Sequence, residues 1–172
     1  MLKGLGMLCI LAGSTGIGMS MAKELDMRIG ELVALRHLML SLRGEIRHMH
    51  QPLPEAFSHL ADQALAPFDT FFSGTAKELE MRCGSTAEEV WNRNLEKYLS
   101  DIHLSRQERL EFQKLGSMLG YLDVEMQVDT LDYYLEQLKL STAQAMEAAK
   151  SRRRLYQYMG MLGGVALIIL IF

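Results

Sequence analysis

The stretch RRRLYQYMGMLGGVALIILIF, residues 152–172, places three arginines directly before 18 residues that carry no charge. Eighteen helical residues rise about 27 Å, which is close to the ~30 Å hydrocarbon core of a bilayer. Tyr156 and Tyr158 stand where the aromatic belt of a membrane interface would lie. The pattern predicts a C-terminal transmembrane helix over residues 155–172.

A second uncharged segment, residues 4–22, lies between Lys3 and Lys23. It contains five glycines and three hydroxyl side chains, so it is less apolar than the C-terminal segment. Two interpretations remain open. The segment is either a retained transmembrane helix or a cleaved signal peptide, with Leu5–Ala12 as its apolar region and residues 20–22 as a small-x-small cleavage site.

Basic residues at the inner ends of both segments favour the retained helix. Such residues tend to stay on the cytoplasmic side of a membrane. We therefore expect residues 23–154 to form a cytoplasmic domain that both segments tie to the membrane. The predicted membrane-boundary residues are Lys23, Lys150, Arg152, Arg153 and Arg154.

The charge of the middle region excludes one class of partner. Residues 23–149 carry 13 lysines and arginines against 21 aspartates and glutamates, a net charge of −8. Nucleic-acid binding needs a clustered basic face, which this region lacks. Cys9 and Cys83 lie in different segments, so they cannot pair if the first segment is retained, and two cysteines make no disulfide framework or zinc pattern.

The middle region has the residue spacing of helices. Apolar residues from Leu25 to Met49 recur in steps of three and four, which predicts a helix over about residues 23–50. Pro52 and Pro54 end this helix, because proline lacks an N–H group and disfavours a helical residue before it.

Shorter helices follow. One is predicted over residues 55–65, and Pro67 begins another, whose phenylalanines would supply core volume. Those core residues are Phe68, Phe71 and Phe72. Two capping-box signatures, which mark the starts of helices, are Thr86 with Glu89 and Ser105 with Glu108.

The last helix of the domain begins near Asp123 and has an apolar stripe over residues 124–149. No helix breaker stands between this stripe and the C-terminal segment, so we expect one continuous helix. The predicted fold is all-α: an antiparallel helical bundle of five or six helices between two terminal transmembrane helices. Its segments are residues 4–22, 23–154 and 155–172.

Candidate catalytic and ligand-binding patterns fail on spacing. His48 and His50 are two residues apart, so they would point to different faces of a helix. The glycine-rich residues 13–18 lack the Gly-Lys-Ser/Thr ending of a phosphate-binding loop. We predict no catalytic, cofactor-binding or metal-binding residues.

Several short pieces, taken in order, carry a family resemblance. They are Leu2-Lys3 before a glycine-rich segment, Arg28 before a leucine-rich helix ending in Glu45-Ile46, the turn Pro52-Leu53-Pro54-Glu55-Ala56, Trp91, Leu115-Gly116-x-x-Leu119-Gly120, and Asp123 with Gln127. Along its whole length the chain resembles the stage III sporulation protein AB family of endospore-forming bacteria.

The resemblance implies a helical domain similar to the cytoplasmic domains of type II secretion platform proteins. It also implies a place in the channel or secretion-like complex between mother cell and forespore, in the mother-cell membrane that faces the forespore. The implied partners are the lipid bilayer, other membrane proteins of that complex and a soluble sporulation ATPase, protein AA of the same set. No nucleic acid and no small-molecule substrate is implied.

The leading hypothesis is therefore a non-enzymatic membrane scaffold that docks the ATPase. Its predicted partner contacts are Pro52, Leu53, Pro54, Glu55, Gly116, Gly120 and Asp123. The alternatives are a membrane-anchored enzyme, which would need a convergent polar pocket, and a ligand sensor with a helical cytoplasmic domain.

Overall fold

The structure, a computed structural model, describes the backbone of residues 2–49, 51–81, 84–120 and 123–171. Within those ranges, side chains are described from residue 23 to residue 152. All the regular elements in these ranges are helical, with six α-helices, one π-helical turn and no strand. The all-α prediction is confirmed.

The first and last helices are much longer than the four between them. α1 covers Leu2–Gly44 and passes into the π-helical turn at Glu45–Met49. The shorter helices are α2 (Leu53–Gln63), α3 (Phe68–Glu80), α4 (Ala87–Tyr98) and α5 (Arg106–Leu119). The last helix, α6, covers Val124–Ile171 without a break, as its lack of helix breakers predicts.

The chain divides into two units. One is Gly30–Thr142, and the other consists of Met1–Ile29 with Ala143–Phe172. Among the residues that the structure describes, no helix is both long and apolar enough to cross a membrane.

The predicted spans fall outside the part of the chain to which that finding applies. Residues 4–22 and 155–172, like the boundary residues Arg153 and Arg154, lie outside the described side chains. The other boundary residues, Lys23, Lys150 and Arg152, are exposed. Both spans stay predictions.

Local side-chain bonds fix the starts of α4 and α5, and both predicted capping boxes are confirmed. At α4, the Glu89 amide donates to Thr86 Oγ1 over 3.2 Å and the Thr86 amide donates to Glu89 Oε2 over 3.0 Å. At α5, the Glu108 amide donates to Ser105 Oγ over 3.3 Å and the Ser105 amide donates to Glu108 Oε2 over 2.7 Å. Each box satisfies two backbone donors that a helix start would otherwise leave unpaired.

The apolar stripes of the two long helices form one part of the core. The buried stripe residues within Gly30–Thr142 are Leu32, Leu35, Met39, Leu42 and Ile46 in the first stripe, and Val128, Leu131, Leu135 and Leu138 in the second. The predicted stripes extend too far at two ends, because Met49 and Val124 are exposed. Between the two helices, Arg43 Nη2 donates to Asp132 Oδ2 over 2.9 Å.

An aromatic cluster forms the other part of the core and joins α2, α3, α4 and α5. Trp91 lies at its centre, with ring centroids 4.9 Å from Phe71, 4.9 Å from Phe112 and 5.6 Å from Phe57. The Trp91 Nε1–H group donates to the Phe112 carbonyl oxygen over 3.2 Å, which satisfies the polar atom of a buried indole. Phe68, Phe71 and Phe72 are all buried, as predicted.

Candidate interaction surface

The first predicted contact segment, residues 52–55, forms the start of α2. Pro52 precedes the helix and its carbonyl oxygen accepts from the Ala56 amide over 3.1 Å. Pro52 and Glu55 are exposed, whereas Leu53 and Pro54 are half-buried. Proline at the first helical positions leaves no hydrogen bond unmade, because an N–H group there would have no partner within the helix. The turn presents one exposed acidic side chain, that of Glu55.

The second predicted segment, residues 116–123, contains the junction of α5 and α6. Gly116 is buried beneath Trp91, while Gly120 and Asp123 are exposed. Asp123 Oδ1 accepts from the Met126 amide over 2.9 Å, which caps the start of α6.

Tight packing fixes this junction against α4. A Cβ added to Gly120 would lie only 2.6 Å from the Cβ of Ala87, so the position admits little more than glycine. The Gln127 side-chain amide donates to the Leu119 carbonyl oxygen over 2.8 Å. These residues hold three helices together, and their role in binding a partner stays a prediction.

A groove that the sequence analysis missed runs between α5 and α6. Its volume is about 520 Å³, and its walls include Glu111, Lys114 and Met118 from α5 with Asp129, Tyr133 and Tyr134 from α6. A signal was available in the Tyr133-Tyr134 pair, since adjacent helical positions point in different directions and one tyrosine therefore had to face outward. Which helix would form the opposite wall is set by tertiary packing and has no signature in the sequence.

The two tyrosines of the groove have opposite environments. Tyr133 is 70% exposed, whereas Tyr134 is only 4% exposed and its ring stacks on Phe112 at a centroid distance of 6.2 Å. Burial raises the pKa of the Tyr134 phenol well above its usual value, and the nearby charges of Glu111 and Glu108 raise it further. Its hydroxyl has no hydrogen-bond partner among the described residues. Tyr134 therefore lines the groove with a neutral hydroxyl that is buried and has no partner among the described residues.

The described histidines occupy separate places. His37 and His48 are exposed. His59 Nδ1 is 3.5 Å from Glu45 Oε2, and His103 Nδ1 is 2.8 Å from Glu31 Oε1. Among the residues that the structure describes, no three His, Cys, Asp or Glu side chains are placed to hold a metal ion. His50 and Cys83 lie outside those residues.

Comparisons with known proteins find one family to which this chain is similar in both sequence and structure. Residues 3–172 match the family model described as Stage III sporulation protein AB. The chain is 30% identical over 171 residues to the stage III sporulation protein AB of Bacillus subtilis (strain 168), covering 99% of both sequences. A solved structure of a stage III sporulation protein AB is similar with a TM-score of 0.66 and 28% identity, over 72% of this chain and 97% of the solved one.

Proposed function

The chain belongs to the stage III sporulation protein AB family, and from this premise we propose that it is a non-enzymatic scaffold of a sporulation complex. The match over residues 3–172 is the observation that carries the proposal. The described helices support it, because their interior is a packed cluster of aromatic and aliphatic side chains. The described acidic and basic side chains mostly lie at the protein surface or form ion pairs between elements of the fold.

The proposed site of action is the mother-cell membrane that faces the forespore. The uncharged residues 4–22 and 155–172 would each cross the membrane, and the residues between them in the chain would form an antiparallel bundle. The basic residues that flank them on the inner side would keep residues 23–154 in the cytoplasm. The complex is the channel or secretion-like assembly between the two cells.

The proposed partner is the cytoplasmic sporulation ATPase, protein AA of the same set. An acidic scaffold, with a net charge of −8 over residues 23–149, would attract a basic surface of such a partner. The turn at residues 52–55 and the junction at residues 116–123 are the proposed contacts. Both are helix ends with exposed acidic side chains, Glu55 and Asp123.

Membrane recovery and partner association test the proposal separately. The full chain, tagged at its N-terminus, is produced in sporulating cells and the membranes are washed with alkaline carbonate. We expect the chain to stay with the washed membranes and to recover the ATPase after mild detergent extraction. Recovery of the chain in the wash would contradict the membrane spans. A membrane-bound chain that fails to recover the ATPase would contradict the docking role.

A matched pair of variants then tests the proposed contacts. Charge reversal at Glu55 and Asp123 is expected to lower ATPase recovery. The control is charge reversal at Glu80 and Glu96, which are exposed acidic residues of α3 and α4. Equal loss in both double variants would show that net charge alone, and not these two helix ends, determines the association.

A further inference from the structure

We propose that the groove between α5 and α6 binds an amphipathic helix of another protein that carries arginines beside apolar side chains. This site is distinct from the turn at residues 52–55, and nothing in the scaffold proposal assigns it. The groove proposal rests on the scaffold proposal in one respect, because a scaffold binds other proteins.

Two exposed apolar side chains line the groove, one from each helix. Met118 of α5 is 52% exposed and Tyr133 of α6 is 70% exposed. Leu115 and Tyr134, which are both buried, also line the groove. Methionine and tyrosine are residues that adapt to or anchor a bound helix, and an apolar groove is the usual receptor for an amphipathic helix.

Charge selects the polar face of the occupant. Glu111 on α5 and Asp129 on α6 line the groove with one basic residue, Lys114. The unit formed by residues 30–142 carries 11 lysines and arginines against 18 aspartates and glutamates, a net charge of −7. A guanidinium group suits these walls, because it pairs bidentately with a carboxylate and also stacks on a tyrosine ring.

The Tyr134 hydroxyl is a polar atom of a groove-lining residue that the described residues leave unpaired. Buried polar atoms in folded proteins almost always have a hydrogen-bond partner, and an unpaired one is costly. The described residues supply none to this hydroxyl, although Tyr134 borders the groove. The phenolic oxygen is itself buried, so a guanidinium N–H group beside Glu111 would donate to it after a small movement of the Tyr134 side chain.

The charge of the groove argues against a second copy of this chain as the occupant. Two copies that met through the same face would bring two acidic grooves together, because Glu111 and Asp129 outnumber Lys114 in each. Each copy also carries the net charge of −7 over residues 30–142. Like charges facing each other oppose association, whereas a basic helix gains from both carboxylates.

Synthetic helices are the probes for the test. Three labelled peptides share one leucine face and differ only at flanking positions four residues apart, which hold arginine, glutamine or glutamate. Binding to the full chain in a nonionic detergent is followed by fluorescence anisotropy, with detergent alone as the blank. We expect saturable binding of the arginine peptide, at least tenfold tighter than that of the glutamine peptide. This preference should weaken as salt rises from about 50 to 300 mM.

Two charge-neutralised variants make the test specific to the groove. Glu111→Gln with Asp129→Asn is expected to abolish the preference for arginine. Glu80→Gln with Glu96→Gln, which removes the same charge from α3 and α4, is expected to keep it within twofold. Tyr133→Ala is expected to weaken binding of the arginine peptide at least fivefold, since it removes the most exposed aromatic side chain of the groove.

Three results would overturn the proposal: no saturable binding of the arginine peptide, equal binding of all three peptides, or equal losses in the groove and control variants. The result is separable from the scaffold proposal. Absence of peptide binding while the chain still recovers the ATPase rejects the groove and leaves the scaffold. Peptide binding without ATPase recovery supports the groove and rejects the docking role.

Discussion

The indole ring of Trp91 lies directly over Gly116, so that a Cβ on residue 116 would overlap the ring atoms Cγ, Cδ1 and Cδ2. Both residues are buried, and the indole N–H group donates to the carbonyl oxygen of Phe112, one helical turn before Gly116 on α5. The hydrogen bond and the missing side chain together fix the approach of α4 to α5. Glycine at this position is therefore part of the aromatic core.

We expect Gly116→Ala to lower the free energy of unfolding by about 1–3 kcal/mol or more, because the added methyl group forces the indole out of its packed position. Trp91 is the single tryptophan of the chain, so its fluorescence reports on this contact during unfolding in urea. Gly30→Ala is the control. Nothing lies within 4 Å of a Cβ at that position of α1. Alanine there should leave stability unchanged or raise it by up to about 1 kcal/mol. Equal urea midpoints for Gly116→Ala and the wild type would contradict the packing of Trp91.

Glu31 ties α1 to the loop before α5. Its Oε2 atom accepts from the His103 amide over 2.6 Å, and its Oε1 atom lies 2.8 Å from His103 Nδ1. We expect Glu31→Ala to lower the free energy of unfolding by about 1–3 kcal/mol, because the partly buried His103 amide would lose its hydrogen bond to a charged carboxylate. Alanine keeps the helix propensity high, so the loss measures the contact. Urea unfolding of the full chain gives the value.

An exposed ion pair provides the control for that variant. Lys139 Nζ lies 3.1 Å from Glu136 Oε1, and the two side chains are 61% and 60% exposed. Exposed pairs contribute little, so Glu136→Ala should change stability by no more than about 0.5 kcal/mol. A similar loss of stability in Glu31→Ala and Glu136→Ala would mean that the contact between Glu31 and His103 stabilises the fold no more than an exposed ion pair does.

The capping boxes give a prediction that rests on local structure. Ser105→Ala removes the hydroxyl that accepts from the Glu108 amide, and we expect it to cost about 1 kcal/mol. Ser105→Asp retains an acceptor oxygen and should restore most of that loss. If alanine and aspartate have the same effect in urea unfolding, the hydroxyl does not cap α5.

The features that were predicted correctly are those that neighbouring residues determine. A capping box needs only positions 105 and 108, and the buried face of α1 follows from steps of three and four. Both can be read from a short window, and both are present in the structure. The aromatic core was predicted as far as Phe68, Phe71 and Phe72, which lie together on one helix.

The features that were missed depend on residues far apart in the chain. Glu31 and His103 are 72 positions apart, and no pattern around either residue indicates the other. The spacing of Gly116 and Gly120 is typical of close helix packing, but it does not identify an indole 25 positions earlier as the neighbour. The groove likewise requires α5 beside α6. Local patterns therefore predicted the helices, while the candidate binding groove emerged from their packing.

The hydroxyl of Tyr134 is buried without a partner among the described residues. Tyr134→Phe removes that polar atom and keeps the ring that stacks on Phe112. We expect the variant to be as stable as the wild type at pH 7, or more stable by about 1–2 kcal/mol, since burying an unpaired polar group is unfavourable. Tyr133→Phe, at the exposed neighbouring position, should change little. A loss of more than about 1 kcal/mol in Tyr134→Phe alone would show that the hydroxyl has a stabilising partner.

The pH dependence of the same variant tests the burial of the phenol. Burial raises the folded-state pKa of Tyr134 well above the ordinary value of 10.0. The folded chain therefore holds the phenolic proton more tightly than the unfolded chain, and this contribution to stability is fully present below pH 10. It declines as the pH rises above 10 toward the folded-state pKa, because the unfolded phenol ionises first. Tyr134→Phe should consequently lose less stability than the wild type between about pH 9.5 and 11. Parallel stability curves for the two proteins over that range would mean that the phenol ionises as readily in the folded chain as in the unfolded one.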